Sequence, residues 1–334
     1  MPKDLPVRVK TPPSVRIRRE SASSNLATHQ VRREANSERS LHSVIKSVMF
    51  AFGDVRNPQD NTADTVEKIL QDQMHLAYRL AWENCQQRGT SVVEVLDVVF
   101  LYRRDIPLLH RLYRRLSTRS QVRQLQQQLG AKMGASDGEK TLQELRYSFR
   151  LIDDPRLNEV LEESYIDAIS QERLWRMDVR TRGMDRQEYL EFHAARGVSF
   201  GTSGPARRAF LEWLSQNVLW QLSPSAGDVL AFIAYEIVAK LTESAVAIRD
   251  TAKAINEEEL QEVGRGRRYN PDFVSNNPLF RGKFREDPVP SGQLVDGPAI
   301  QPKDIYEALR RLQAFREPPL FAHNKEMADC LWLI

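Results

Sequence analysis

The sequence has little cysteine and no long apolar run, and each shortage argues against a class of protein. Its two cysteines, Cys85 and Cys330, stand far apart, without a Cys-x-x-Cys motif or a histidine at ligand spacing. We therefore expect neither a disulfide framework nor a zinc site, and a reducing compartment suits the chain best. The most apolar stretch, Val229 to Tyr235, is closed by Glu236, and no signal-peptide pattern opens the chain. We expect no membrane segment.

A large charge excess and a large share of glycine and proline are also missing. The 334 residues hold 48 Lys and Arg against 45 Asp and Glu, so the formal net charge is only +3. A protein that coats DNA by neutralising many phosphates needs a far larger excess. With 41% hydrophobic residues, 15 Gly and 17 Pro, the composition is that of a mostly folded globular chain.

Motifs that carry catalysis are absent as well. The sequence contains no His-Glu-x-x-His, no phosphate-binding Gly-x-x-x-x-Gly-Lys-Ser/Thr and no Gly-x-Ser-x-Gly, and its six histidines are scattered. These patterns bring ligands, phosphate-binding amides or a nucleophile into one place, which scattered residues do not do. We expect no enzyme activity, no cofactor, no metal and no small-molecule ligand.

Residues 1–40 differ from the rest of the chain. They hold nine basic and four acidic residues, many serines and no apolar periodicity, for a net charge of +5. This composition predicts a disordered basic arm. Such an arm is either a nuclear-import or nucleic-acid contact or a plain solvated tail, and short basic runs do not decide between these roles.

Residues 41–129 predict a short, a long and a short helix followed by an extension. Apolar residues recur at helical spacing from Leu41 to Phe52, and Gly53 to Pro58 breaks the pattern. A long amphipathic helix over 62–88 follows, and its expected core positions are Val66, Leu70, Met74 and Ala77. Ser91 and Glu94 have the spacing of a capping box for a third helix, and a fourth runs over 106–128.

The same order returns after a helical linker region over 130–204. Within 205–314, a short helix over 206–222 precedes a second long helix over 225–254, and a long loop at about 256–300 leads to a last short helix. Residues 315–334 form a tail. The expected core positions of the second long helix step by three, four and four residues: Leu230, Ile233, Ile237 and Leu241.

A long helix flanked by two short ones cannot bury its whole apolar stripe, because the stripe extends past both short helices. It needs a second copy across it, and two copies on one chain meet at an effective concentration of roughly millimolar. The predicted fold is all-α: two histone folds on one chain that form an intramolecular histone-like pair, joined by the helical linker region.

The residues also resemble a known family. The first half resembles histone-fold subunit thirteen of TFIID and, more closely, the N-terminal half of the SAGA subunit that engages TATA-binding protein, the suppressor-of-Ty class, in these stretches: Val48–Asp54, Asn57–Pro58, Val95–Leu101 and Arg103–Asp105. The second half resembles TFIID subunit eleven, and the middle resembles the SAGA subunit, in these stretches: Gln301–Lys303, Glu307–Leu312, Met184–Tyr189 and Ala195–Phe200. In this comparison only the SAGA subunit carries both halves.

This resemblance implies a function and two sets of residues. It implies a nuclear coactivator subunit of a SAGA-like complex that engages TATA-binding protein to promote pre-initiation assembly of RNA polymerase II, with the other complex subunits as partners. It maps the charged clasp of many histone folds onto Arg88 and Asp97, whose generous spacing leaves the pairing open. It also directs attention to the second long helix as the docking surface.

On that helix, Glu236, Lys240 and Glu243 interrupt the apolar rhythm on one side. TATA-binding protein presents a basic surface, so carboxylates there are sensible contacts. The plainer alternative is a surface ion pair between Glu236 and Lys240.

Direct DNA binding is expected to be weak or absent, because the loop from Gly53 to Asn61 carries Asp54 and Asp60 against a single arginine. A free-standing DNA-binding histone-fold protein is the alternative function.

Overall fold

A computed structural model describes residues 41–129, 137–161, 165–201, 204–216, 220–259 and 297–314. The predicted basic arm, most of the predicted long loop and the predicted tail lie outside these ranges. The helices and strands run in this order: α1 (41–51), α2 (Asp60–Gln87), β1 (Val92–Val93), α3 (Val95–Leu101), α4 (Ile106–Gln128), α5 (Asp137–Ile152), α6 (Pro155–Leu161), α7 (Ala168–Thr181), α8 (Arg186–Gly197), α9 (Gly204–Leu214), β2 (Gln221–Leu222), α10 (Pro224–Glu259) and α11 (Pro302–Ala314).

The long helices α2 and α10 pack against each other at the centre of the molecule. All eight positions expected in their core are at most 2% exposed: Val66, Leu70, Met74, Ala77, Leu230, Ile233, Ile237 and Leu241. Apolar side chains at steps of three and four residues lie on one face of a helix, and burying that face stabilises helices that are marginal alone. The two stripes share one continuous hydrophobic core.

At one end, the segment before α3 pairs with the segment before α10. Strands β1 and β2 are parallel, with Val92 opposite Gln221 and Val93 opposite Leu222. The amide of Ser223 extends the ladder by donating to the Val93 carbonyl at 2.9 Å. The ring of Trp220 meets that of Tyr78 edge-on at 5.3 Å, and the Tyr78 hydroxyl donates to the Trp220 carbonyl at 2.8 Å.

The predicted capping box at Ser91 is wrong. Val92 and Val93 are extended, since β-branched residues suit a strand, and α3 begins only at Val95. The cap lies three residues further on, where the amide of Glu94 donates to Asp97 Oδ2 at 2.8 Å. Two-residue strands are too short to show a periodicity in sequence.

At the other end, the loop after α1 meets the segment before α11. The Ile300 amide donates to Asp54 Oδ1 at 3.0 Å, and the Thr62 hydroxyl donates to the Ile300 carbonyl at 2.8 Å. The turn needs Gly53, whose φ of +121° is a conformation that residues with a Cβ rarely adopt. A Cβ there would also lie 3.1 Å from Val246 Cγ2.

The helices between residues 130 and 204 pack on the main body. Helix α5 packs against α3, α4 and α10, and its Leu142, Leu145 and Phe149 are buried in the shared core. Helix α7 is different, because no side chain along Ala168–Thr181 is buried and its contacts are made mainly by arginines. The helices between residues 130 and 204 therefore belong to the folded body.

Candidate functional site

A cluster of ion pairs joins α7 to α10. The guanidinium of Arg173 donates from Nη1 to Glu236 Oε2 at 2.9 Å, and from Nε and Nη2 to both oxygens of Glu243 at 3.0 Å. Arg176, one turn further along α7, donates to Glu243 Oε1 at 2.9 Å. Burial alone would lower the pKa of Arg173, but the charges and hydrogen bonds of the two carboxylates outweigh it and raise the pKa above its ordinary value.

The cluster extends to α4 through Arg111. Its Nε contacts Glu236 Oε2 and its Nη1 contacts Asp167 Oδ2, each at 3.1 Å. Asp167 precedes α7 and caps it, accepting from the Ile169 amide at 3.2 Å. Burial alone would raise the pKa of Asp167, but bonds from Ser170 and Arg111 outweigh it and lower the pKa. Three carboxylates thus face three arginines from α4 and α7, and the cluster is close to neutral.

The placement of Glu236 corrects the expected docking surface. Glu236 is only 6% exposed and lies between Arg111 and Arg173, so it is not an exposed carboxylate that a basic partner could contact. Glu243 is 13% exposed and is paired with Arg173 and Arg176. Lys240 is half-buried. The expectation of an exposed carboxylate face failed because the arginines that cover it lie 60 to 130 residues away in the sequence.

The structure brings Arg88 and Asp97 together. Arg88 Nε lies 3.0 Å from Asp97 Oδ1, and Arg88 Nη2 lies 2.8 Å from Asp97 Oδ2. The Asp97 side chain is 2% exposed, and Arg88 also contacts Glu94 at 2.8 Å. This two-point contact fixes the end of α2 to the start of α3, next to the paired strands, and it raises the pKa of Arg88.

Asp54 is also placed differently from the expectation. The sequence puts it in a loop whose acids would repel phosphate, but its side chain is buried and accepts bonds from the amides of Val55 and Ile300. Burial raises its pKa above the ordinary value, against the effect of those bonds. Arg180 of α7 donates to the carbonyl of Phe50 in the last turn of α1 at 2.6 Å and to that of Asp54 in the following loop at 2.8 Å. Asp54 therefore stabilises this end of the fold through buried hydrogen bonds and adds no negative charge to the surface of the loop.

A sequence signal for the arginines of α7 did exist. Arg173, Arg176 and Arg180 are spaced by three and four residues, which places them on one face of a helix. That face predicts an acidic counterpart but does not indicate which helix supplies it.

Within the described residues, no three His, Cys, Asp or Glu side chains form a group that could hold a metal ion. No helix in these ranges is long and apolar enough to cross a membrane.

Comparison with known proteins bears on both halves. The family model described as "Transcription initiation factor IID, 18kD subunit" matches residues 39–131. SAGA complex subunit Spt3 of Schizosaccharomyces pombe is 27% identical over 289 residues, which cover 80% of this chain and 88% of that protein. The chain resembles SAGA complex subunits. SAGA complex subunit SPT3 of Saccharomyces cerevisiae is 25% identical and Protein SPT3 of Kluyveromyces lactis 26% identical, each covering 80% of this chain and 90% of the relative.

The predicted resemblance of the chain to a SAGA subunit, and of its first half to a TFIID subunit, is thereby confirmed. Residues 39–131 contain α1 to α4, and this part of the chain is a histone-fold domain of the TFIID type. The similarity to the Spt3 proteins covers far more of the chain than this domain does. The clasp of Arg88 with Asp97 lies inside the matched domain, and the cluster around Arg173 lies beyond it.

Proposed function

We propose that this protein is a non-enzymatic transcription coactivator subunit of a SAGA-like complex in the nucleus. The observation that carries the proposal is the similarity over 80% of the chain to proteins named as SAGA subunits. The proposed partners are TATA-binding protein and the other subunits of the complex. The chain needs no cofactor for this role, because it acts by presenting surfaces and promotes pre-initiation assembly of RNA polymerase II.

We further propose that 41–129 and 205–314 are two histone folds that pair within the chain. Three features support this: α1–α2–α3 and α9–α10–α11 share the short, long, short order, the long helices pack together, and the ends meet reciprocally. The segment before α3 pairs with that before α10, while the loop before α2 bonds to the segment before α11. The caps also match, since Asp97 accepts from the Glu94 amide and Asp304 from the Gln301 amide.

For TATA-binding protein we propose a contact at the edge of the charged cluster on α10. Lys240 and Glu243 are both partly exposed, and we retain them as proposed contacts. Glu236 is left out because Arg111 and Arg173 cover it. A carboxylate that is partly satisfied by arginines still offers negative potential at its exposed side, although less than an unpaired one.

The test is retention of the purified full chain on immobilised TATA-binding protein across a salt series. We expect retention that weakens with salt, and weaker retention by Glu243→Gln than by the parent. Glu212→Gln, at an exposed glutamate of α9, is the matched control. Thermal melting of each variant must first match the parent, because Glu243 also anchors α7. If Glu243→Gln is retained as strongly as the parent, Glu243 is not a contact residue. The proposal that the chain binds TATA-binding protein would still stand.

The same purified full chain can be used to test the alternative function, a free-standing DNA-binding protein. Binding of random-sequence duplex with a steep salt slope, together with no retention on TATA-binding protein, would favour it over the proposed function. Asp54 was one of two loop acids expected to repel phosphate, but it is buried and so does not count against DNA binding. Asp60 remains at the surface, where it pairs with Lys46 at 2.8 Å.

A further inference from the structure

One face of α4 continues from an open pocket onto the exposed end of the helix. The pocket has a volume of about 480 Å³, and its walls include Arg111, Arg114, Arg115 and Arg119 of α4. Further along the same helix, Val122 is 48% and Leu125 58% exposed, and Leu129, the residue directly after the end of α4, is 87% exposed. Large apolar side chains that share an uncovered face mark interaction surfaces.

The spacing shows that the pocket and the apolar side chains form one stripe. Successive steps of four, three, four, three and four residues connect these positions: Arg111, Arg115, Thr118, Val122, Leu125 and Leu129. Steps of this kind keep residues on one side of a helix and form the seam that a second helix packs against. We call this stripe, with Arg114 and Arg119 at its sides, the α4 seam.

The positive charge of the α4 seam comes from Arg114, Arg115 and Arg119, because Arg111 at its inner end is paired with Glu236, which also lines the pocket. Helix α4 contains no Asp or Glu along Ile106–Gln128. Arg115 is held in place, with its guanidinium 5.1 Å from the Tyr235 ring and one bond to the Ser199 hydroxyl at 2.8 Å. Arg114 and Arg119 are exposed and form no ion pair with any residue that the structure describes. Arginines spaced four apart repel one another unless an anion lies between them.

The α4 seam is about 27 Å long, since 18 residues at a rise of about 1.5 Å separate its ends. This length suits a helix of five turns. We propose that the α4 seam is the docking site for an acidic amphipathic helix of a partner protein. Its apolar side chains cover Val122, Leu125 and Leu129, and its carboxylates reach Arg114, Arg115 and Arg119.

Two other occupants fit the observations less well. A nucleic acid would match the arginines but would leave the three exposed apolar side chains uncovered. A second copy of this chain would bring arginines against arginines in a parallel arrangement, or arginines against apolar side chains in an antiparallel one. Only a partner that is both apolar and acidic matches the two halves of the α4 seam at once.

The experiment measures binding of the full chain to a fluorescent helical peptide of about 20 residues. The probe has leucines at alternating steps of three and four and glutamates elsewhere, and a second peptide has lysines in place of the glutamates. We expect the chain to bind only the glutamate peptide. Arg119→Glu and Leu125→Ser should each weaken binding about tenfold, since one removes a charge partner and the other an apolar contact.

Two matched variants control for general effects of charge and polarity. Arg150→Glu changes an exposed arginine of α5, and Leu174→Ser changes a leucine of α7 that is 52% exposed. Both should bind the glutamate peptide within about twofold of the parent. If Arg119→Glu melts below the parent, Arg119→Gln replaces it, and the same loss of binding is required.

Several outcomes would overturn the proposal. They are failure of the parent to bind the glutamate peptide, equal binding by Arg119→Glu and Leu125→Ser, and equal losses in the two control variants. Self-association of the parent that Leu125→Ser abolishes would assign the α4 seam to a second copy. Binding of a random duplex that Arg119→Glu abolishes while the glutamate peptide does not bind would assign it to nucleic acid.

Discussion

Arg173 of α7 and Glu236 of α10 form an ion pair at 2.9 Å in which the carboxylate is 7% and the arginine 16% exposed. The two residues are 63 positions apart in the sequence. Because both charges have lost most of their water, each depends on the other and on Arg111 and Glu243 for compensation. The cluster therefore holds α7, which buries no side chain of its own, against the central helix.

The first prediction concerns this dependence. Glu236→Lys places an ammonium between Arg111 and Arg173 and leaves three buried cations facing each other. We expect a loss of about 3–5 kcal/mol in the free energy of unfolding, measured by urea denaturation of the full chain. Glu236→Gln should lose less, because an amide still accepts one hydrogen bond.

Glu212→Lys is the control for this reversal of charge, because Glu212 is exposed on α9. It should change the free energy of unfolding by no more than about 0.5 kcal/mol. A Glu236→Lys protein as stable as the parent would show that Glu236 lies at the surface and that the cluster is not formed.

The second prediction concerns the clasp between α2 and α3. Arg88→Met removes both bonds to Asp97 and leaves a carboxylate that is 2% exposed with a single amide donor, Glu94. We expect a loss of about 3 kcal/mol in the free energy of unfolding. Arg182→Met is the control, since that arginine is 73% exposed. A loss for Arg88→Met as small as the control's would show that the clasp contributes no stability.

The long helices were predictable from sequence because their cores depend on local periodicity. Leu70 and Ile237 recur in stripes that any helix of that length must bury, and both are buried as expected. The pairing of Arg88 with Asp97 was indicated only by the family resemblance, and their separation of nine positions in the sequence left it open. Local sequence patterns were therefore enough to predict the two long helices and the face that each of them buries.

The charged cluster could not be predicted in the same way. Glu236 has the sequence context of a surface residue, and its burial depends on Arg111 and Arg173, which other helices supply. Likewise, Asp54 resembles an ordinary loop acid until Ile300, 246 residues away, donates to it. Such contacts depend on how distant segments meet, which neither hydrophobic periodicity nor capping signals encode.

The third prediction tests the shared core of α2 and α10. Leu241→Ala removes a side chain that is fully buried, and the cavity should lower the free energy of unfolding by about 2–5 kcal/mol. Leu190→Ala, at a leucine of α8 that is 55% exposed, should cost less than about 0.5 kcal/mol. The unfolding transition of each full-length variant gives both values, and a Leu241→Ala loss as small as the control's would place Leu241 outside the core.

The fourth prediction concerns pH and Asp54. Burial raises the pKa of its carboxyl above 3.8 in the folded protein, so the folded state binds a proton more readily than the unfolded state does. The contribution of Asp54 to stability is therefore greatest at low pH and falls as pH rises from about 3.8 through the folded pKa. Asp54→Asn cannot titrate, and its oxygen can still accept from the Ile300 amide. We expect the variant to gain stability relative to the parent between pH 4 and pH 7.

Asp60 provides a control of opposite sign. Its pKa is lowered by the hydrogen bond and charge of Lys46, so its contribution is present above pH 3.8 and is lost as pH falls through the folded pKa. Asp60→Asn should therefore be less stable than the parent by a nearly constant amount from pH 5 to pH 7, and this deficit should shrink as pH falls below about 4, where the parent loses the contribution of Asp60. Urea unfolding of the three proteins at pH 3, 4, 5, 6 and 7 measures both trends, since all other titrating groups are common to them. Parallel trends in the two variants would contradict the burial of Asp54 beneath the segment that leads into α11.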